Sequence, residues 1–284
     1  MKILTAAASE PRSLGRFLRS EMGLSQHMIA SLKPQNRILV NGEPQHTNYF
    51  LHPGDCVTVL PEEESAVAEP FCGPVPIVYE DDDMLIIDKP APLPTMSSPR
   101  QSADTLENRM AYLFPHMPFR PVNRLDKGTS GLMIAAKHAN AQYKLSSLLH
   151  SDRFVREYLA IVEGVPGPSC GRIDAPIRKA DGATVRREVH PDGLPCATQY
   201  QLLSSQNGLS LLRLRLETGR THQIRVHMAH LGHPVYGDFL YGTESASLAG
   251  RFALHSHRIL LSLPDREQPL EVISPLPEAL CALL

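Results

Sequence analysis

Two polar stretches of this chain have the residue types and spacing to do chemistry. The first is Arg124-Leu-Asp126-Lys127, followed by the bend Gly128-Thr-Ser-Gly131 and an apolar run over 132–136. A charged loop opening onto a buried strand reads this way. Cations on both sides of a carboxylate favour its charged form, which suits a nucleophile or a base and does not suit a general acid. A solvated turn ahead of a core strand would look the same, so this stretch alone leaves both readings standing. The second stretch is Thr218-Gly-Arg-Thr-His-Gln-Ile-Arg-Val-His227, continuing through His230, His233 and Tyr236-Gly-Asp238. Thr221 is expected to cap a helix that ends at Gly232, a C′ glycine. Ile224, His227 and Met228 fall on one face of it, and His222 and Arg225, three apart, reach a common side. A strand that delivers Gly219-Arg220 to the helix start makes an anion site from N–H groups and a guanidinium.

Other chemistries fit less well. His222, His227, His230 and His233 lie close together, yet the His-Glu-x-x-His spacing of zinc hydrolases is missing, and Asp238 is the one nearby carboxylate placed as a base. They read as capped or core histidines, and no metal is expected. A glycosidase needs two carboxylates across the scissile bond, whereas Asp126 alone sits in a motif. No Gly-x-Gly-x-x-Gly, P-loop or thiolate cluster is present, so no cofactor is expected. Five scattered cysteines without Cys-x-x-Cys predict reduced thiols in a cytoplasm. No signal-like or membrane-spanning apolar run is visible, so no membrane partner is expected. Cys281-Ala-Leu-Leu284 fits a prenylation box by letters but lacks polybasic support; it reads as an apolar capping tail. A net charge of −2 argues against bulk nucleic-acid binding, although Lys and Arg outnumber acidic residues between 119 and 187.

The 284 residues are enough for one small and one large domain. In the first, Leu14, Phe17 and Leu18, then Met28, Ile29 and Leu32, have helical spacing, with Ser25 as an N-cap. A strand follows to the Asn41-Gly42 turn, then the Pro53-Gly-Asp55 turn and a last strand over 56–60. The expected boundaries are 1–62 for this module, 63–75 for an acidic, proline-bearing linker, and 76–284 for the second unit. There, strands are expected at 77–79 and 84–88 and a helix at 105–114 through Leu106, Met110 and Leu113. A second helix spans 138–150, with Tyr143, Leu145, Leu148 and Leu149 facing inward. The strand over 156–162 puts Tyr158, Ala160 and Val162 on one face. Arg178-Lys179 and Arg186-Arg187 flank Asp181-Gly182 as a basic hairpin tip, where phosphate contact and mere solvation are equally good readings. Strands over 200–203 and 209–216 pair across Gln206-Asn-Gly208. Mixed, mostly antiparallel strands with a few packed helices predict an α+β fold.

Two resemblances extend this reading. Leu14-x-x-Phe-Leu18, the Ser25 helix start, Ile38-Leu-Val-Asn-Gly42 and Leu51-x-Pro-Gly-Asp-x-Val57 resemble the alpha-L-type RNA-binding module of a small-subunit ribosomal protein. The resemblance implies that Arg12, Arg16, Arg19, Lys33 and Arg37 meet phosphates, giving affinity with little sequence readout. Arg124-Leu-Asp-x-x-Thr-Ser-Gly-Leu132, a basic strand with Tyr158, Thr218-Gly-Arg-Thr-His-Gln-Ile-Arg-Val-His-Met228, Leu231-Gly-His-Pro234 and Tyr236-Gly-Asp238, in this order, resemble the RluA-type pseudouridine synthase family over about residues 75 to 275. With the N-terminal module, the whole chain resembles the large-ribosomal-RNA branch.

The resemblance implies a mostly antiparallel sheet with an RNA cleft across it, and an isomerisation needing no cofactor or metal. Asp126 would be the catalytic carboxylate, as nucleophile at ribose C1′ or as base toward a ribose proton. Arg225 would pair with it, Tyr158 would stack on the target base, and Arg124 would fill the space left by the flipped nucleotide. Lys127, Arg220, Arg178 and Arg186 are the further RNA-binding candidates. The partner is expected to be ribosomal RNA and the enzyme a cytoplasmic monomer; a transfer-RNA enzyme and an inactive RNA-binding protein are the alternatives. One departure stands out: the family usually has His before Arg-Leu-Asp, and this chain has Asn123, which hydrogen-bonds but does not titrate near neutral pH.

Overall fold

The computed structural model describes residues 3–24, 26–60, 67–98, 103–149, 151–264 and 266–284. The expected Ser25 cap and the first part of the linker fall outside them. The N-terminal unit runs β1 (Leu4–Ala7), β2 (Arg12–Ser13), α1 (Leu14–Ser20), α2 (Gln26–Leu32), β3 (Ile38–Val40), β4 (Glu43–Pro44), β5 (Phe50–Leu51) and β6 (Cys56–Val59). Four of its strands form a sheet in the order β1-β6-β3-β4, with β2 and β5 paired separately. Its own core gathers Leu14, Phe17, Leu18, Ile29, Leu32, Ile38 and Val57. Asn41 and Gly42 both take positive φ, as a two-residue hairpin between β3 and β4 requires. The Asn41 amide donates to Asp55 Oδ1 at 2.8 Å and its oxygen accepts the Cys56 N–H at 2.8 Å. The Asn-Gly and Pro-Gly-Asp turns, far apart in sequence, are thus tied to each other. Arg12 is engaged by Glu10 and Glu21.

Residues at the end of the expected linker dock along the larger unit. The Phe71 N–H meets the Asn108 carbonyl at 3.0 Å, and the Asn108 amide donates to Glu69 O at 2.8 Å. The elements that follow are β7 (Ile77–Glu80), β8 (Met84–Lys89), α3 (Leu106–Leu113), β9 (Arg120–Pro121), β10 (Ser130–Ala136), α4 (Ala139–Leu148) and β11 (Phe154–Glu163). Next come β12 (Cys170–Asp174), β13 (Ile177–Lys179), β14 (Arg187–Val189), β15 (Ala197–Gln206) and β16 (Leu209–Leu216). The chain closes with α5 (Gln223–His230), β17 (Leu254–Leu261), β18 (Leu270–Ile273) and α6 (Glu278–Cys281).

A ten-stranded sheet is ordered β12-β15-β16-β11-β17-β10-β8-β7, with β18 on β17 and β9 on β10. The β10–β17 contact is parallel, and the other pairings of this sheet are antiparallel. The fold is therefore α+β with a mixed, mostly antiparallel sheet. Both faces are covered, so the alternation of β8 splits between two cores: Leu85 and Ile87 pack with α3, α5 and α6, while Met84 and Ile86 pack with α4. The apolar run of β10 is buried throughout. Gly131 in it has φ +103°, and a Cβ there would lie 2.2 Å from the Ser256 carbonyl, so β10 meets β17 only through a glycine. Thr105 caps α3 with a reciprocal bond to Asn108. Two expected packings differ: Leu113 and Tyr143 are exposed, because the inward stripes of their short helices are carried by Leu106 and Met110 and by Ala141 and Leu145. At the C-terminus Leu280 is buried and Leu283 and Leu284 pack on the main core.

Candidate active site

The loop between β9 and β10 holds Asp126, and its shape is fixed from several sides. The Val122 N–H meets the Ile134 carbonyl at 2.8 Å, and Asn123 Oδ1 accepts the Ile134 N–H at 2.9 Å. Asn123 is thus a tie between the loop and β10, and its Nδ2 is buried without a partner among the described residues. Leu125 enters the main core, and its carbonyl accepts from Thr95 Oγ1 at 2.7 Å. The Thr129 N–H closes the turn onto the Asp126 carbonyl at 3.1 Å. Beneath sits Lys89, fully buried, whose Nζ donates to the carbonyls of Leu93 at 2.7 Å, Pro90 at 3.0 Å and Lys127 at 3.5 Å. Burial pulls its pKa down to about 7, against the opposing field of Asp126.

Asp126 is presented by Arg225, which points from α5. Arg225 Nη1 donates to Asp126 Oδ2 at 2.9 Å. The other edge of the same guanidinium is held by Asp238, with Nε to Oδ2 at 2.6 Å and Nη2 to Oδ1 at 2.8 Å. This fork is the bidentate geometry that arginine supplies and lysine does not. The side chains of Arg225 and Asp238 are 3% and 0% exposed, that of Asp126 27%. Burial opposes the charge on Arg225, but the Asp238 hydrogen bonds and the field of Asp126 outweigh it and raise its pKa. The guanidinium carbon lies 4.1 Å from the Phe252 ring centroid and 5.0 Å from that of Tyr241, so aromatic walls block other rotamers. Gly128 lets Phe252 approach: a Cβ there would sit 2.6 Å from the ring. Among the described residues no side chain bonds Oδ1 of Asp126, so that oxygen is available to a substrate.

His222 approaches the oxygen of Asp126 that Arg225 bonds, with Nε2 3.8 Å from Oδ2. Its Nδ1 lies 2.8 Å from the Tyr241 hydroxyl, and that hydroxyl accepts the Arg187 N–H at 2.8 Å. The Tyr241 hydroxyl thus bridges His222 Nδ1 and the backbone of Arg187, and Nε2 of the same ring faces the carboxylate. Burial pushes the His222 pKa below the ordinary histidine value despite the pull of Asp126. His222 is also the residue at the start of α5, in left-handed conformation and without a capping side-chain bond. The expected Thr221 cap is not formed; the Gln223 side chain instead ties the preceding turn, its Oε1 accepting the Arg220 N–H at 2.9 Å and the Thr218 hydroxyl at 2.8 Å. The other histidines diverge. His227 meets Thr198 Oγ1 and the Ala175 carbonyl, each at 2.9 Å, and His233 meets the Glu163 carbonyl at 2.8 Å. Among the described residues no cluster of metal-ligating side chains occurs.

These groups surround one cavity of about 590 Å³, lined by Asp126, Arg225, Tyr158, Arg124, Lys127 and Arg220 among others. Tyr158 comes from β11 and is nearly buried; its hydroxyl bonds Ser256, and burial raises its pKa, so it stays a phenol at neutral pH. Arg178 and Arg186 do not line the cavity. They belong to the β13–β14 hairpin, where Arg178 is paired with Glu188 and Asp181 while Arg186 is exposed and lies over the Tyr241 ring.

The geometry has counterparts among known proteins. Residues 83–230 match the model of the family described as RNA pseudouridylate synthase. The chain belongs to the RNA pseudouridylate synthase family. It is an RluA-type enzyme, an isomerase that converts uridine in RNA to pseudouridine. It is 35% identical to "Uncharacterized RNA pseudouridine synthase YjbO" of Bacillus subtilis (strain 168), covering 93% of this chain and 95% of that one. It is 35% identical to "Ribosomal large subunit pseudouridine synthase D" of Escherichia coli (strain K12), covering 99% of this chain and 93% of that one. The solved structure of human RNA pseudouridylate synthase domain containing 1 superposes with a TM-score of 0.57 at 28% identity, covering 71% of this chain and 83% of that chain.

Several residues of the synthase site were not singled out from sequence. Asp238 was noted only as a carboxylate near the histidines; its signal was the Tyr-Gly-Asp turn. Lys89 and Arg156 had no motif that marked them. Two outcomes are expected. Asp238→Asn leaves Arg225 buried with half its charge balance, costing on the order of 3 kcal/mol of stability in urea unfolding, and lowers turnover about a hundredfold by letting Asp126 shift. For Lys89, the folded pKa of about 7 lies below the unfolded value of 10.5. Between these values the unfolded chain binds more protons, so this group makes stability rise with pH. Unfolding midpoints measured from pH 7 to 10 should show that rise in the wild type and a flatter profile in Lys89→Met.

Proposed function

We propose that this synthase isomerises specific uridines of large-subunit ribosomal RNA, with Asp126 as the reacting carboxylate. The observation that carries the reading is the Asp126–Arg225 pair facing the same cavity as Tyr158. The reaction breaks the bond from ribose C1′ to uracil N1, turns the base, joins C1′ to C5, and exchanges the C5 proton for one on N1. Asp126 acts either as nucleophile at C1′ or as base toward a ribose proton. Either role needs an aimed carboxylate, and a hydrogen bond from a guanidinium that is itself clamped by Asp238 provides the aim.

Tyr158 supplies the platform for the uracil ring, a contact worth roughly 1–3 kcal/mol. Its raised pKa favours stacking and hydrogen bonding over service as a base. Arg124, exposed at the cavity mouth, replaces the flipped nucleotide in the RNA stack and so offsets an unstacking cost of a few kcal/mol. Lys127 and Arg220 line the same cavity and meet phosphates there, and the β13–β14 hairpin brings Arg186 and Arg178 to the RNA further out. Asn123 is a positioning residue, since its oxygen already ties the loop to β10.

Ribosomal RNA is favoured over transfer RNA by the relatives named for the ribosomal large subunit and by the N-terminal module, whose turns carry the alpha-L-type motifs. In this reading Arg16, Arg19, Lys33 and Arg37 of that module grip structured RNA while the cavity does the chemistry. An inactive RNA-binding role is disfavoured, because Asp126, Tyr158 and Arg225 are all in place around one cavity.

The test is Asp126→Asn. The variant should unfold at the wild-type urea midpoint within about 1 kcal/mol, since the side chain is partly exposed and isosteric, and should release no tritium from RNA labelled at uridine C5. Tritium release at the wild-type rate would refute the assignment.

A further inference from the structure

Arg156, on β11 two residues before Tyr158, is not explained by the site as described. Its side chain is nearly buried, at 5% exposure. A guanidinium has five N–H donors; here Nη2 meets the Leu149 carbonyl at 3.3 Å, Nε has no partner among the described residues, and the group lies over the Phe154 ring. Among the described residues no carboxylate pairs with it. An uncompensated buried cation costs several kcal/mol, so the position calls for an anion that the free chain lacks. The cavity it lines points the same way. Arg124, Lys127, Arg156, Arg220 and Arg225 line it, and Asp126 is the single carboxylate among its described lining residues. That carboxylate is bonded by Arg225 and not by Arg156, so the Arg156 guanidinium has no paired anion among the described residues. Gly219 makes the room: a Cβ there would sit 3.3 Å from Arg156 Nη1. Along a strand, residues two apart share a face at about 6–7 Å, comparable to the reach from a base across its ribose to its phosphate.

We infer that Arg156 is the floor of a phosphate-binding subsite, holding a phosphate of the flipped uridine while Tyr158 holds its base. The inference rests on the synthase reading of the cavity and adds the group that the cavity grips. With base and phosphate both held, the ribose between them is fixed in front of Asp126. After the C1′–N1 bond breaks, the base must turn while the sugar stays, and a phosphate anchored on β11 keeps the sugar in place during that turn.

The test compares uridine, uridine 5′-monophosphate and uridine 3′-monophosphate as ligands of the full-length protein by isothermal titration. A phosphate accepting charge-assisted bonds in this cavity should make one monophosphate bind about tenfold to a hundredfold more tightly than uridine, and the 5′ and 3′ arms tell which phosphate is held. Arg156→Gln should abolish the difference while leaving uridine binding in place; Arg156→Lys should keep part of it. A merely structural arginine would weaken uridine and monophosphate alike. Should Arg156→Gln fail to fold, Arg156→Lys and Gly219→Ala, which crowds the guanidinium without removing it, carry the same comparison. Equal binding of uridine and both monophosphates to the wild type, or an undiminished difference in the Arg156 variants, overturns the inference. Tritium release by the wild type on C5-labelled RNA separates the two levels: release without phosphate dependence overturns the subsite alone, whereas no release overturns the synthase reading beneath it.

Discussion

The buried guanidinium of Arg225 is the constraint around which the catalytic unit is built. It stands between two carboxylates, one sealed in the interior and one at the edge of the cavity. Moving such a charge out of water costs several kcal/mol, and the cost is offset only if the geometry of its partners is close to ideal. The surrounding fold meets that demand. The Asp238 turn also takes the Leu240 and Tyr241 N–H groups on Oδ1, which keeps this carboxylate from rotating away. Phe252 and Tyr241 wall the guanidinium, and α5, which carries it, is packed into the main core through Ile224 and Met228. Asp126 is therefore aimed by a scaffold that extends from α5 to β17. Its own loop is independently pinned by Thr95, Lys89 and β10.

Around that fixed pair the cavity divides its work by polarity. Tyr158 gives one wall an apolar surface suited to a base, and the cationic wall suits the sugar-phosphate chain. The cations of the cavity are distributed on the β9–β10 loop, on β11 and just ahead of α5. Although the chain has a net charge of −2, positive side chains gather around one cavity and on one hairpin. The Tyr241 hydroxyl, shared between His222 and the backbone of β14, makes a continuous hydrogen-bonded path from that hairpin to the neighbourhood of Asp126.

Much of this architecture was legible in the residues. The all-apolar run after Gly131 announced β10, the Asn-Gly pairs announced hairpins, and the alternation along β11 put Tyr158, Ala160 and Val162 on one face. The pairing of Asp126 with Arg225, ninety-nine residues apart, comes from the resemblance; spacing alone does not bring a loop and a distant helix together. What stayed hidden has a common physical cause. Lys89 and Arg156 are charged residues in the interior, and nothing local tells a buried cation from a solvated one until the partners that fold over it are known. The Thr221 cap failed for the opposite reason: a local rule was overridden when Gln223 found better partners across the turn. Tyr143, expected to face inward, and Leu113, part of the helical spacing of α3, sit at the margins of short helices whose core stripe is narrower than the pattern implies.

The central claim is that Asp126, aimed by Arg225, makes pseudouridine in large-subunit ribosomal RNA. The most direct measurement maps pseudouridines across ribosomal and transfer RNA from a strain lacking this gene, with the gene restored as wild type or as Asp126→Asn. The account predicts that one or more positions of the large-subunit RNA lose the modification, that the wild-type gene restores them, and that the Asp126→Asn gene does not. An unchanged map, loss confined to transfer RNA, or restoration by Asp126→Asn would contradict it.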